Sequence, residues 1–431
     1  QHAALDRLAQ LLKRSGQTEL AAESLERLMQ VAESPTQRRD VAFDLSRLKE
    51  DAGDFRGAEE VLERLRKGAP IDMVVLRALA DFYRRRQAQS ALAMHLNRSA
   101  NDLRLALVGQ PESAELWVAL VEVLEERGRK DAAAAAASAA VAVGMRDGSL
   151  TRHLDSEGNV AGLGNGAFSE LLDDLVFPTL LPASVRVLFR HGAEAMNRAS
   201  PLDIKALAGE KLERKHPLRA IATEMAKLSV LGDAEVYVTT QLPYAFVPIS
   251  DAPFQLLVGR TILESLSSLE QRYLLARACK IARSQMSITC RVRPEEMAAI
   301  FAGLIGAQVP DYRSEGVERA SQEEMARRIG KHLSRRARED MLPHAVELAG
   351  QPELDLSRAY LLASTAASRA GLLATGTVPA AIRALIKLSG ITDSRSVTAV
   401  LSEVEEAKDL LAFSISEKHF EGRQRAGAER R

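Results

Sequence analysis

Residues 5–28, LDRLAQLLKRSGQTELAAESLERL, hold two apolar stripes separated by one glycine. Leu5, Leu8, Ala9 and Leu12 recur at the period of a helix, Gly16 interrupts, and Ala21, Leu25 and Leu28 resume the period. The same phrase returns three times. Ala42, Leu45 and Leu48 precede Gly53, and Ala58, Leu62 and Leu65 follow it. Leu76, Leu79, Ala80 and Tyr83 begin a third unit, whose second helix is less regular and runs to about Val108, before Pro111. Trp117, Leu120, Val121 and Leu124 precede Gly128, and Ala133, Ala137 and Ala140 follow it. The turns Gly16-Gln17-Thr18-Glu19, Gly53-Asp54-Phe55-Arg56 and Gly128-Arg129-Lys130-Asp131 stand at one phase. A glycine there can take the positive φ that closes a helix. Ala21, Ala58 and Ala133 put small side chains where neighbouring helices must approach closely.

These residues resemble the tetratricopeptide repeat, including its early aromatic (Trp117) and its closing prolines (Pro35, Pro70 and Pro111). The resemblance covers residues 1–145 and implies a solenoid of helical hairpins whose groove holds peptide segments or partner proteins. One hairpin cannot bury its apolar stripe alone, so the units must stack.

The 431 residues are 46% hydrophobic and 27% charged, ordinary for a folded chain with two or three domains. Aromatics are only 4%, which leaves a core of Ala, Leu, Val and Ile. Lys plus Arg equals Asp plus Glu at 58 each, so no global field draws nucleic acid or anionic membrane. Two cysteines, Cys279 and Cys290, cannot make a disulfide framework and read as reduced core thiols. No apolar run spans a bilayer, since the alanine-rich Ala132–Val143 is too short. The chain opens at Gln1, without Met or signal peptide, which reads as a piece of a longer protein with a cytoplasmic location expected.

Residues 146–167, with Gly158, Gly162, Gly164 and Gly166, read as a glycine-rich linker. A phosphate cradle there lacks both the preceding strand and a following Lys-Ser/Thr. Helices are expected at Phe168–Val176, Ala183–Arg190 and Pro201–Leu231, the last broken at Pro217. Ala234–Thr239 alternates apolar and polar as a strand should. Phe246–Ile249 and Gln255–Val258 are shorter strand candidates, followed by helices over Thr261–Leu266 and Leu269–Ser284.

A strand-rich hairpin, a short helix and then residues 266–281, LSSLEQRYLLARACKI, look like the HtpX/Oma-type zinc metallopeptidases. In that family the helix carries H-E-x-x-H, two histidines for zinc and a glutamate as general base. Aligned on Glu270 and Leu275-Ala276, this chain has Arg277 and Ile281 at the histidine positions and Ala278 at the glutamate position. Residues 364–373, STAASRAGLL, reproduce the frame that carries the family's third ligand, with Ser364 at the ligand position and Ser368 at that of a following Asp. The helix at Ala380–Leu385 continues the likeness, which covers roughly residues 170–390 through apolar framework positions. The resemblance implies a peptidase fold without its chemistry. Arginine brings a permanent cation to the place of Zn²⁺, and isoleucine has no lone pair.

Elsewhere, none of the eight histidines pairs at i, i+3 or i, i+4. G-x-S-x-G is absent. Asp173-Asp174 and Glu403–Glu406 read as helix-surface charges. Gln322–Met341 reads as one basic helix, with Arg327, Arg328, Lys331, Arg335, Arg336 and Arg338, whose acid-first charge order suits a solvated face. The tail Glu417–Arg431 is polar and reads as disordered.

The expectation is a mainly α protein: a repeat solenoid at 1–145, a linker at 146–167, an α-rich α+β domain with a small sheet at 168–415, and a tail at 416–431. Its expected function is non-catalytic, a scaffold or adaptor that holds protein partners, with no catalytic residue, metal or cofactor. The alternatives are an active hydrolase with an unrecognised metal site, and a binder of nucleic acid or an acidic partner through residues 322–341.

Overall fold

The computed structural model describes residues 2–152, 166–179, 182–207, 209–351, 358–391 and 396–427. The protein is mainly α, 69% helix and 5% strand, with one small mixed sheet. It forms two compact units, residues 1–134 and 135–431, with the division falling inside the eighth helix.

Eight helices run through the first unit to its end: α1 (His2–Arg14), α2 (Thr18–Gln30), α3 (Pro35–Asp51), α4 (Phe55–Gly68), α5 (Met73–Arg85), α6 (Gln89–Gly109), α7 (Ala114–Glu126) and α8 (Lys130–Ala142). They form four hairpins, each turned by one residue of positive φ: Gly16 (75°), Gly53 (80°), Gln87 (54°) and Gly128 (73°). The N–H of the next residue then reaches a carbonyl five residues back: Gln17 to Leu12 at 3.0 Å, Asp54 to Lys49 at 2.8 Å, Ala88 to Tyr83 at 2.9 Å, Arg129 to Leu124 at 2.9 Å. This is the Schellman closure, which satisfies the orphan carbonyls of a helix end. The third hairpin therefore has the turn of the others without their glycine. A side chain in the left-handed region is strained. Gln87→Gly is expected to stabilise the first unit by about 0.5–1 kcal/mol, read as a shift in its denaturation midpoint. An unchanged midpoint would mean that glycine's freedom in the unfolded chain cancels the relief.

Ion pairs mark two layers. Lys13–Asp44 (3.9 Å), Glu50–Arg85 (2.8 Å), Arg77–Glu122 (2.5 Å) and Arg84–Glu126 (2.8 Å) link α1, α3, α5 and α7 side by side. Arg66–Asp102 (3.1 Å) and Arg98–Glu63 (3.9 Å) link α4 to α6. Such exposed pairs contribute about 0–1 kcal/mol each, so they report geometry more than stability. Stability comes from the apolar stripes between layers, where Leu25, Leu28, Val41, Leu45 and Val61 form one cluster and Ala58, Leu62, Leu79, Phe82 and Tyr83 the next.

The second unit holds α9 (Gly148–Thr151), α10 (Asp173–Val176), α11 (Ala183–Ala199), β1 (Glu210–Lys211), α12 (Pro217–Leu228), β2 (Ala234–Thr239), β3 (Phe246–Ser250) and β4 (Phe254–Gly259). It continues with α13 (Arg260–Ser265), α14 (Ser268–Arg283), α15 (Pro294–Gly306), α16 (Arg319–Gly330), α17 (Arg335–Ala349), α18 (Ala359–Thr375) and α19 (Val378–Leu388). Last come α20 (Val397–Leu401), α21 (Glu405–Ser414) and α22 (Glu417–Arg425). The strand order is β1-β2-β4-β3, with β2 and β4 parallel and the outer pairs antiparallel. β2 buries Ala234, Val236 and Val238 and turns Glu235 and Tyr237 outward, the alternation its sequence announces. At the centre α14 packs on α18, α12, α19 and β3, almost wholly buried. α18 comes close because its facing residues are small: a Cβ on Gly371 would stand 3.2 Å from the Tyr273 ring and 3.3 Å from the Arg277 nitrogen.

Several expectations are corrected here. Helix does not begin at Pro201. It begins at Pro217, where the His216 ring accepts from the Leu218 N–H at 3.3 Å, and upstream Glu210–Lys211 pairs with β2. The basic segment 322–341 is two helices, because the Ser334 hydroxyl accepts from the Ala337 N–H at 3.1 Å and starts α17. The tail is helical from Glu417 to Arg425: Ser416 caps it, His419 and Phe420 turn inward beside Phe413, and Gly422 lies against Leu373. Two buried rings and a glycine suffice to dock a helix that reads as polar. The glycines expected to form a linker or cradle at 158, 162 and 164 lie outside the described residues.

Candidate functional site

Arg277, Ala278 and Ile281 lie on α14, Ser364 and Ser368 on α18, and α21 packs on α18. α14 starts with a capping box: the Ser267 N–H donates to the Glu270 carboxylate at 2.7 Å and the Glu270 N–H to the Ser267 hydroxyl at 3.4 Å. Glu270 also meets Lys387 (2.8 Å) and Arg383 (3.2 Å) from α19. Two turns further on, Arg277 is buried and points at α18 and α21. Its Nε lies 3.0 Å from the Ser368 hydroxyl and 2.7 Å from Glu406 Oε1, and its Nη2 lies 3.2 Å from Glu406 Oε2. The Ser368 hydroxyl donates to the same carboxylate.

The structure thus brings together Arg277 and Ser368, 91 residues apart in sequence. It does not bring Ser364 into the network, since that hydroxyl donates to the Leu361 carbonyl of its own helix at 3.0 Å. Ala278 and Ile281 are buried and offer no polar atom. These residues do not fit zinc: a guanidinium, two alkyl groups and a hydroxyl bonded to backbone supply neither ligand set nor general base. Among the described residues no group of three or more His, Cys, Asp or Glu is placed to hold a metal ion.

Two acidic residues read as surface charges are partners of buried cations. Glu406 receives Arg277, and Asp173 receives Lys280 at 2.6 Å and Arg186 at 3.3 Å. Burial pushes the Lys280 ammonium below its ordinary range, and Asp173 opposes that shift. Asp174, by contrast, is on the surface, 92% exposed. No short-range signal could have revealed either pair, because Glu406 and Asp173 lie 129 and 107 residues from their partners. Burial raises the Cys279 thiol to about 12 and that of Cys290 to about 11, which suits inert thiols.

A second polar knot ties the β3–β4 turn to α11. Asp251 Oδ1 accepts from the Ser287 N–H at 3.3 Å and from its hydroxyl, and the Asn197 side chain lies beside the carboxylate. Arg291 donates to Asn197 at 2.6 Å beside it. Burial lifts the Asp251 carboxyl to about 6, against Ser287, Asn197 and Arg291, which favour its charge. The folded state therefore binds a proton more tightly than the unfolded state, and stability rises as pH falls from about 6 toward 4. Asp251→Asn should stabilise the second unit by about 1–3 kcal/mol at pH 7, with roughly half of that gain gone at pH 5. Denaturation midpoints of both proteins at the two pH values check it. A gain equal at both would assign the effect to packing.

The basic segment is largely committed to local partners. Arg328 donates to the Ala199 carbonyl, Arg338 to those of Gly330 (2.5 Å) and Ala307 (3.4 Å), and Arg327 pairs with Glu324. Arg335 and Arg336 pair with Glu339 and Asp340 one turn on.

In the first unit, the ion pairs above join α1 to α3, α3 to α5 and α5 to α7. A cleft of about 300 Å³ opens between α6 (Leu92, Leu96, Asn97) and the end of α7 (Glu126, Arg127, Arg129). No helix among the described residues is long and apolar enough to cross a membrane. No protein-family model, no curated protein and no solved structure matches the chain.

Proposed function

We propose that the protein is a non-catalytic scaffold: tetratricopeptide-like hairpins hold partner proteins, and a metallopeptidase-like second unit has exchanged its chemistry for a structural core. The observation that carries this reading is the Arg277–Glu406–Ser368 knot. A hydrolase needs a water-accessible place for an activated nucleophile, and at the position that the resemblance aligns with the first zinc ligand this chain has a buried, bidentate ion pair. The hairpin stack supports the binding half of the reading, because α1, α3, α5 and α7 carry paired charges of both signs along the stack. The basic-segment alternative loses support from Arg328 and Arg338, whose guanidinium groups are held by backbone carbonyls, while Arg335 and Arg336 stay exposed.

The test is casein hydrolysis by the purified chain, with and without added zinc, beside the Glu406→Gln variant. No turnover above buffer is the expected result. Turnover that Glu406→Gln abolishes would overturn the proposal and make that carboxylate part of an active centre.

A further inference from the structure

The turn residue of each hairpin gives a common origin for counting. Twelve, eight and five residues before it stand Val41, Leu45 and Leu48 in α3, Val75, Leu79 and Phe82 in α5, and Leu116, Leu120 and Val123 in α7. Eight of these nine are buried, and Leu48 is half-buried. Their role is visible in the second hairpin: Val41 and Leu45 share one cluster with Ala9 of α1 and Leu25 and Leu28 of α2. They form the face by which one hairpin seats on the hairpin before it.

In α1 the same three positions are Ala4, Leu8 and Leu11. They keep the apolar character of the series, yet Ala4 is exposed, Leu8 is 45% exposed and Leu11 56%. The adjacent face of α1 is used in the ordinary way, with Ala9 buried and Leu5 against the α2–α3 cluster. So the docking residues are present in the first hairpin and nothing in the first unit covers them among the described residues. A stack of this kind ends stably only when its terminal face is polar.

We propose that the Ala4–Leu8–Leu11 face is a docking surface for one further helical hairpin of the same class. That hairpin seats on α1 as the first seats on α3, its second helix supplying an apolar stripe equivalent to Ala21–Leu25–Leu28. Continuity with the interface between hairpins one and two selects this occupant. The inference rests on the hairpin geometry and is independent of the pseudopeptidase half of the proposed function.

The test duplicates residues 1–34 in tandem ahead of residue 1 of the full chain and follows amide hydrogen exchange in the original α1. Exchange there should slow by about tenfold or more, and Leu8→Glu/Leu11→Glu in the original α1 should restore the unextended rate. If the extended protein does not fold, a synthetic peptide of residues 1–34 added in trans provides the same readout. Unaltered α1 exchange in whichever arm is read overturns the proposal. So does a wild-type chain that sediments as a dimer and becomes monomeric with Leu8→Glu/Leu11→Glu, because the face then belongs to a second copy. In the unextended chain the double variant should keep its thermal midpoint. A large loss would show that the two leucines already serve their own hairpin.

Discussion

Arg277→Met is expected to destabilise the second unit by about 3–5 kcal/mol, because it removes one member of a buried pair and leaves the Glu406 carboxylate without its cation. The Arg277 side chain is 3% exposed and that of Glu406 16%, so water cannot readily take the place of the guanidinium. Ser368 also loses its nitrogen donor partner, although its hydroxyl can still donate to the carboxylate. The double variant Arg277→Met/Glu406→Met should recover most of the loss, since apolar replacement of both ions avoids their desolvation. Arg277→Lys should recover little, because an ammonium cannot make the bidentate contact at 2.7 and 3.2 Å together with the bond to Ser368. Urea denaturation of the four proteins decides the matter. A single variant as stable as the wild type would mean that the knot contributes nothing to holding α14, α18 and α21 together.

Trp117→Ala should cost the first unit about 3–5 kcal/mol. This side chain, the chain's one tryptophan, is 0% exposed, and its indole N–H donates to the Pro111 carbonyl at 2.8 Å. It therefore fills the base of the fourth hairpin and also fixes the loop that leads into α7. Trp117→Phe separates the two roles: most of the volume stays and the hydrogen bond goes, at about 1 kcal/mol. Denaturation followed by far-ultraviolet circular dichroism measures both. Equal losses for Ala and Phe would place the whole effect in the hydrogen bond.

Which features could be read in advance follows from how local their causes are. Gly16, Gly53 and Gly128 announced their turns because a glycine at fixed phase has one strong conformational use. Gln87 announced nothing, yet it adopts the same left-handed turn, because the packing of α5 and α6 around Tyr83, Ala88 and Leu92 sets the geometry. The strand at Ala234–Thr239 was legible residue for residue from its alternation. The segment before Pro217 was misread as helix, since its pairing with β2 depends on residues that follow it in the chain. The candidate site divides in the same way. The helices that carry Arg277 and Ser368 could be read from their apolar spacing, whereas the partners Glu406 and Asp173 and the Asp251–Ser287 knot could not.

By itself, then, the sequence determined the helical hairpins, three of their four turns, the main strand and the absence of His, Cys, Asp and Glu at 277, 281 and 364. Each depends on backbone propensity or side-chain chemistry within a few residues. Tertiary structure alone decided which charges are buried, that α22 docks, that the basic segment breaks at Ser334, and that Leu8 and Leu11 are left facing outward. Those outcomes depend on the solvent that neighbouring elements leave or remove, and on groups that folding brings together from more than a hundred residues apart.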